Sequence, residues 1–363
     1  MTERVFALFA GGGTGGHTYP AVAVAQELVR RGHPQASVRF VGGRRGIEGG
    51  VVTDAGFAID LLSGRGLQRR LTPANVGAIV GAVVAFVVAL RLVWRYRPRV
   101  VVGFGGYASL PCVAAARVLR VPTIVHEQDA APGLANRIGV RLGAHPAVSL
   151  PGTPLRNAIL TGNPVRSSIA AIVRKPAREP ALLAVYGGAQ GARTINWAAI
   201  GCYDTWRDRT DLAVRHVCGP RNELECVGLL MAHRRRSDAL AYELVPYEAH
   251  MDALLARATL AVCRAGAGTV AELTVAGVPA VLVPLPGSPS DHQARNAQTL
   301  ERAGAAVVIA DGECDAERLA AVVSELLGDP DRLDRMSVAA RGLGRPDAAA
   351  RVADLVEEHA RVR

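Results

Sequence analysis

The stretch VFALFAGGGTGGH, residues 5–17, decides the fold class of this chain. Residues 5–10 form a short apolar run that is typical of a buried strand. Five glycines follow within the next seven residues, and an apolar helix is predicted over residues 20–31. A strand that ends in glycines and runs into a helix is the repeating unit of a parallel sheet. This stretch therefore predicts an α/β protein.

The same unit recurs along the chain. Further strands are predicted over residues 37–43, 99–106, 121–128 and 279–286, and further strand–glycine–helix units over 181–193 and 260–273. Continuous β-branched runs that alternate with helices predict parallel sheets covered on both faces. Because two similar glycine turns lie nearly half the chain apart, we expect two α/β domains of similar build. The expected boundaries are 1–164 and 165–345, followed by a closing helix over 346–363.

The first glycine turn leaves two ligand classes open. Gly11, Gly13 and Gly16 satisfy G-x-G-x-x-G, and the N–H groups at a helix start favour a phosphate. A dinucleotide enzyme usually carries an acidic residue at the end of the second strand. Here that strand is followed by Arg44 and Arg45, which suit the extra phosphate of NADP. An NADP-dependent oxidoreductase therefore stays open as an alternative at this point.

Several side chains beside these turns are candidates for chemistry. His17 is placed either to act as a general base or to cap its helix. Glu272, one turn into a helix, could accept hydrogen bonds from a ribose diol or simply favour the helix dipole. Four polar residues of the segment SPSDHQARNA could recognise sugar hydroxyls or serve as an ordinary loop and cap: Asp291, His292, Gln293 and Asn296. No acidic cluster has metal-ligand spacing, so helix starts and arginine would have to stabilise a diphosphate.

Composition narrows the compartment and the partners. The 363 residues carry 42 basic and 32 acidic side chains, and the net charge of +10 suits phosphate-bearing or membrane-surface partners as well as a compositional bias. Aromatic residues make up only 4%, which is poor material for stacking on nucleic-acid bases. The six cysteines form no C-x-x-C pair, so we expect a reducing compartment and no zinc site. No signal peptide is predicted.

One apolar stretch stands apart. Residues 76–90 carry no polar side chain, and arginines flank them on both sides. As a helix these residues extend ~22 Å, which is short for the ~30 Å hydrocarbon core of a bilayer. The stretch is therefore either a helix buried in the protein or one that dips into a membrane face. Helical spacing predicts one shared apolar face: Ile79, Val83, Phe86, Leu90 and Val93.

Taken together, six segments in order resemble the MurG family over nearly the whole chain. They are GGGTGGHTYPAVAVAQEL, VVGFGGYASLPCVAAA, HEQDAAPGLANRI, TGNPVR, GGAQGARTIN and CRAGAGTVAELTVAGVPAVLVPLP. The resemblance implies a glycosyltransferase-B fold, in which two Rossmann-like domains face each other across a cleft. It also implies inverting, metal-independent transfer of N-acetylglucosamine from UDP-N-acetylglucosamine to undecaprenyl-pyrophosphoryl-MurNAc-pentapeptide (lipid I), without a cofactor. The implied location is peripheral, at the cytoplasmic face of an anionic membrane.

The resemblance also implies the roles of individual residues. His17 is the candidate for deprotonating the acceptor hydroxyl, Arg166 contacts the donor, Glu272 binds the ribose and Gln293 reaches the sugar. Glu248 falls where a backbone contact to uracil is expected. The remaining implied substrate-binding positions are Thr14, Gly15, Gly16, Asp129, Ala189, Arg264, Ala267, Gly268, Thr269, Val270 and Ala271.

Two positions depart from the family pattern. Asp129 stands where asparagine is usual, and Ala189 stands where serine is usual. Both lie in segments that the resemblance assigns to the donor. They leave open a paralogue of the same fold that uses another UDP-sugar or another acceptor.

Overall fold

The computed structural model describes residues 4–44, 46–62, 74–176 and 179–361, with the backbone alone for residues 74–80. The chain divides into two compact units. The first comprises residues 1–166 and 346–363, and the second comprises residues 167–345. Each unit is a parallel sheet with helices on its faces, so the prediction of two parallel-sheet α/β domains is confirmed.

The first unit is built on a wide sheet. Its strands are β1 (Ala7–Ala10), β2 (Val38–Gly43), β3 (Ala58–Leu62), β4 (Val100–Gly103), β5 (Thr123–Glu127), β6 (His145–Val148) and β7 (Ile159–Leu160). Its helices are α1 (Gly15–Arg30), α2 (Glu48–Asp54), α3 (Ala74–Tyr96), α4 (Ser109–Val118) and α5 (Leu134–Arg141). Among the described residues the strand order is β3-β2-β1-β4-β5-β6-β7, and all pairs are parallel.

The second unit repeats this plan. Its strands are β8 (Ala181–Tyr186), β9 (Leu212–Val217), β10 (Ala241–Val245), β11 (Leu260–Cys263), β12 (Ala280–Leu282) and β13 (Ala306–Val308). The helices that follow α5 are α6 (Ser167–Ala170), α7 (Arg193–Gly201), α8 (Tyr203–Trp206), α9 (Glu223–His233), α10 (Met251–Arg257), α11 (Ala267–Ala276), α12 (His292–Arg302), α13 (Ala316–Leu327), α14 (Pro330–Leu343) and, back in the first unit, α15 (Ala348–Arg361). The order β10-β9-β8-β11-β12-β13 reverses direction beside β8, as the first sheet does beside β1.

Strand β1 shows why the sheet is covered on both faces. Phe9 packs with α1 and α15 residues on one face, whereas Leu8 packs with α3 and α4 residues on the other. Successive side chains of a strand point to opposite faces, so an unbroken apolar run requires two buried faces. The continuous apolar strands of the sequence follow from this arrangement.

Helix α1 begins earlier than predicted. The sequence prediction placed its start at Pro20, but the helix begins at Gly15 and Thr14 occupies the position before it. Pro20 lies inside the helix, where its missing N–H removes one internal hydrogen bond. The correction matters because Gly15, Gly16 and His17 then belong to the first helical turn. The N–H groups of Gly15 and Gly16 have no partner within the helix, whereas that of His17 donates to the Thr14 carbonyl at 3.2 Å.

The predicted closing helix packs on the first unit. Helix α15 buries Val352 and Val356 in the same core as Phe9. Arg31 at the end of α1 donates to Asp354 at 2.7 Å and to Glu357 at 3.0 Å. The last segment of the chain therefore completes the domain that the first segment begins.

Candidate functional site

In each sheet, the place where strand order reverses is the expected ligand edge. The carboxyl ends of parallel strands meet at one edge, and ligands of open α/β sheets bind where neighbouring connections run in opposite directions. In the first unit this point lies between β1 and β4, and in the second between β8 and β11. All four strands are followed by glycine-containing loops.

In the first unit the loops after β1 and β4 touch. Gly106 has a φ of +77°, and a Cβ atom built on it would lie 2.0 Å from the carbonyl oxygen of Gly12. Only glycine allows both this conformation and this approach. Gly105 (φ +87°) similarly lies against the His17 ring, 3.0 Å from Cδ2 for a built Cβ.

His17 is held in one orientation by the loop that precedes it. Its Nδ1 lies 3.1 Å from the Gly12 carbonyl oxygen and 3.2 Å from the Thr14 hydroxyl. Because a carbonyl oxygen only accepts, Nδ1 carries the proton and the lone pair of the neutral ring is on Nε2. The imidazole is half-buried in the first turn of α1. The tautomer with its proton on Nδ1 is the one that a base acting through Nε2 requires.

The segment HEQD, residues 126–129, makes mainly hydrogen bonds within the protein. His126 donates from Nε2 to the Gly162 carbonyl at 3.0 Å, and Gln128 donates to the Phe104 carbonyl at 3.1 Å. Glu127 accepts from the backbone N–H groups of Asp129 (3.1 Å) and Gly133 (2.9 Å), and burial raises the pKa of its carboxyl. The buried side chains thus set the position of Asp129, which is half-buried beside them.

Two buried histidines make stability depend on pH. Burial lowers the pKa of His126 to about 4 and that of His216 to about 3. As the pH falls below the ordinary value near 6.5, the unfolded chain takes up protons that the folded chain does not. We therefore expect the free energy of unfolding to fall by about 1.4 kcal/mol per pH unit for each histidine between pH 6.5 and 4.

Urea unfolding at several pH values measures this slope. His216 lies between Asn196 and Tyr242, at 3.0 and 2.8 Å, so His216→Gln keeps a polar side chain and removes one titration. The variant should show a shallower slope than the parent. An unchanged slope in both His216→Gln and His126→Gln would contradict this assignment.

In the second unit, helix α11 presents its N-terminus at the reversal point. Gly266 precedes the helix in an extended conformation, and the first helical hydrogen bond runs from Val270 N–H to the Gly266 carbonyl at 2.9 Å. The N–H groups of Gly268 and Thr269 therefore have no partner within α11. A Cβ built on Gly266 or Gly268 meets nothing within 4 Å, which leaves room for an anion. Val270 and Ala271, also predicted to bind substrate, are buried.

The guanidinium of Arg264 makes hydrogen bonds to other residues of the protein. Its side chain is buried, and Nη1 donates to the carbonyls of Val283 (3.1 Å) and Pro284 (3.3 Å) and to the carboxylate of Asp311. The guanidinium thus ties the loop before α11 to the segments that follow β12 and β13. Asn296, predicted as a sugar-reading candidate, is fully buried and donates to the Ala265 carbonyl at 3.0 Å in the same loop.

Gln293 and Glu272 lie at the same edge of the second sheet. Gln293 accepts from Leu285 N–H through Oε1 at 3.0 Å, which leaves its Nε2 group to donate elsewhere. Glu272 is half-buried one turn into α11. Asp291 is exposed and His292 is half-buried at the start of α12.

Three other residues predicted to bind substrate lie outside the loops described so far. Ala189 is exposed in the turn after β8. Glu248 accepts from Arg215 at 2.7 Å and from His250 N–H at 2.9 Å, and its carboxylate lines a cavity of about 570 Å³ above β9 and β10. Arg166 is exposed at the end of the first unit. The side chain of Glu248 is therefore occupied, and only its backbone fits the expected role.

Sequence reasoning missed Glu48. Its carboxylate is buried and binds backbone N–H groups of two glycine segments, including the loop before His17. A lone glutamate in a glycine-rich stretch gives no sequence signal for this contact. Within the described residues, no group of three or more His, Cys, Asp or Glu side chains could hold a metal ion.

Comparison with known proteins defines the class. Residues 7–145 match the glycosyltransferase family 28 N-terminal domain, and residues 182–352 match the glycosyltransferase family 28 C-terminal domain. A crystal structure of Acinetobacter baumannii MurG superposes with a TM-score of 0.80 at 29% identity, over 98% of this chain and 99% of that one. The chain is a glycosyltransferase.

The curated relatives narrow the family. A protein of Alkalilimnicola ehrlichii is 42% identical over 98% of this chain and 99% of its own length, and one of Desulforudis audaxviator is 39% identical over 97% of both. Both are named UDP-N-acetylglucosamine--N-acetylmuramyl-(pentapeptide) pyrophosphoryl-undecaprenol N-acetylglucosamine transferase. This chain belongs to glycosyltransferase family 28 and, within it, to the MurG family. The family resemblance stated from the sequence is confirmed.

Proposed function

We propose that this chain transfers N-acetylglucosamine from UDP-N-acetylglucosamine to lipid I and so forms lipid II in peptidoglycan synthesis. The observation that carries the proposal is a chain-long likeness to transferases of that name, combined with a histidine oriented as a base beside a glycine loop. The alternative function, an NADP-dependent oxidoreductase, does not account for this combination.

The donor half of the reaction is assigned to the second unit. The N-terminus of α11 holds the diphosphate, because its N–H groups and helix dipole favour negative charge both before and after the bond to the sugar breaks. Glu272 accepts from the ribose hydroxyls, and Gln293 donates from Nε2 to the sugar. The backbone at Glu248 reads the uracil.

The acceptor half is assigned to the first unit. His17 Nε2 takes the proton of the attacking hydroxyl while that oxygen forms the new bond to the anomeric carbon. The bond to the UDP oxygen breaks on the opposite face of the sugar, which inverts the configuration. The departing diphosphate keeps the electron pair.

A transfer assay tests the proposal. Purified protein is incubated with a lipid I analogue and, in parallel, with labelled UDP-N-acetylglucosamine, UDP-N-acetylgalactosamine or UDP-glucose. Labelled lipid II should form with the first donor alone. Preferential transfer from another donor would instead support the paralogue that Asp129 and Ala189 leave open, and thermal stabilisation by NADPH but not by UDP would contradict both.

Helix α3 supports a peripheral location at the membrane. Among the described residues, no helix is long and apolar enough to span a bilayer. Of the predicted apolar face of α3, Val93 is buried and Phe86 and Leu90 pack against the core, whereas Val83 is exposed. That face therefore packs mainly on the unit, together with the small residues Ala85 and Ala89. Four residues of the predicted membrane surface lie outside the described side chains: Ile79 and the arginines that precede the apolar stretch, Arg65, Arg69 and Arg70.

A different stripe of α3 faces solvent. Val83 is 57% exposed, Val87 40% and Trp94 62%, at four- and seven-residue spacing, with Arg91 and Arg95 exposed beside them. An apolar stripe flanked by arginine suits the interface of an anionic membrane. We propose on this basis that the protein attaches peripherally to the cytoplasmic face, whose leaflet is anionic.

Binding to vesicles measures this contribution. Replacing Val83, Val87 and Trp94 together by serine removes about 3 kcal/mol of apolar burial and should weaken binding to anionic vesicles roughly 10²-fold. The matched control replaces Val173, Leu224 and Val338, exposed apolar residues of the second unit, in the same way. Equal vesicle binding by the two triple variants would rule out the stripe as the attachment surface.

A further inference from the structure

Glu48 is a buried carboxylate that the reaction described above does not use. It is 2% exposed and stands first in α2, after the strand that neighbours β1. Its Oε1 and Oε2 atoms lie 3.1 and 3.0 Å from the backbone nitrogen of Gly13, and Oε1 lies 2.7 Å from that of Gly43. Both N–H groups donate to the carboxylate.

The surrounding backbone is shaped to admit this side chain. Built Cβ atoms on Gly12, Gly42 and Gly46 would lie 2.1, 2.5 and 1.8 Å from atoms of Glu48. Three glycines therefore leave the volume that the glutamate fills. A substitution at any of them would displace the carboxylate.

The contact reaches His17 through a single peptide group. The N–H of Gly13 and the C=O of Gly12 belong to the same peptide unit. Glu48 accepts from its N–H end, and His17 Nδ1 donates to its C=O end at 3.1 Å. We propose that Glu48 is a positioning residue for His17 that acts through the Gly12–Gly13 peptide; this rests on the proposed role of His17 as the base.

Two physical effects follow from this arrangement. First, glycines with φ of +144° and +94° flank the peptide, so few steric barriers prevent it from flipping. A flipped peptide would present N–H to His17 and move the ring lone pair to Nδ1, away from the reacting side. Second, a carboxylate on the N–H end polarises the C=O end, which stabilises the protonated ring. The aspartate of a serine protease triad does both by direct contact.

The main test compares Glu48→Gln with the parent enzyme. The glutamine keeps one acceptor oxygen at the Oε1 position, but its NH₂ group at the Oε2 position opposes the Gly13 N–H and the negative charge is lost. The peptide therefore loses the polarising carboxylate and part of its anchor. We expect kcat to fall about 10²-fold, less than for a directly bound triad aspartate, with an unchanged KM for the donor. The control is Glu27→Gln, since Glu27 pairs with Arg30 and Arg31 elsewhere in the same unit.

A measurement on the unsubstituted protein keeps the proposal testable even if the variant unfolds. The ¹⁵N shifts of labelled histidine distinguish the two tautomers, and His17→Ala assigns the signal. The parent should show His17 protonated on Nδ1, and folded Glu48→Gln should show Nε2 protonation or a mixture. Protonation on Nε2 in the parent, or normal kcat in folded Glu48→Gln, would overturn the proposal. If His17→Ala itself keeps full activity, the proposed base fails instead.

Discussion

His17→Ala should lower turnover by about 10²–10⁴-fold while UDP binds as it does to the parent protein. The ring supplies a base whose Nδ1 proton is fixed by the Gly12 carbonyl, so its loss removes proton transfer from the rate-limiting chemistry. UDP affinity should not change, because the groups assigned to UDP all belong to the second unit: the first turn of α11, the side chain of Glu272 and the backbone at Glu248.

Steady-state kinetics with a lipid I analogue and calorimetric titration with UDP separate the two effects. His33→Ala is the matched control, because His33 is a partly buried histidine of the same unit that pairs with Glu357 at 2.9 Å, away from the glycine loops. A His17→Ala protein that retains more than a tenth of parental turnover would exclude the base assignment. One that also loses UDP binding would indicate a structural role for the residue.

The central strands were predictable because they are uninterrupted apolar runs. The strand over residues 99–106 and the strand–glycine–helix unit over residues 260–273 were predicted in this way, and the structure has strands at Val100–Gly103 and Leu260–Cys263. Strand β9 (Leu212–Val217) was missed because it contains Arg215 and His216, which look like surface residues. The buried His216 is tolerated only because Asn196 and Tyr242 supply partners from distant parts of the chain.

The residues of the candidate site also fall into two groups, those that a local sequence pattern indicates and those that depend on distant contacts. Glycine turns and His17 are local patterns, so the sequence alone indicates them. The internal roles of Arg264 and Asn296 depend on acceptors 47 and 31 residues away. Glu48 lies 35 residues from the loop it binds, and only the pairing of β1 with β2 brings them together. Contacts of this kind follow from strand order, which residue spacing does not reveal.

Arg264 has two possible roles, one in the architecture of its loop and one in binding the donor. Its guanidinium has acceptors at Val283, Pro284 and Asp311, whereas the family resemblance makes it a substrate-binding residue. Arg264→Met leaves the mostly buried Asp311 carboxylate without this partner. Removing one member of a buried pair costs about 3–5 kcal/mol, so the free energy of unfolding should fall by about 3 kcal/mol.

The double variant Arg264→Met/Asp311→Leu removes both charges and should recover more than half of that loss, because the unpaired carboxylate is gone. Urea unfolding followed by tryptophan fluorescence reports on this unit, which contains Trp197 and Trp206. UDP affinity of the stabilised double variant then decides the role. Near-parental affinity would assign Arg264 to the architecture of the loop before α11, and a stable double variant with at least tenfold weaker UDP binding would support a contact between the guanidinium and the donor.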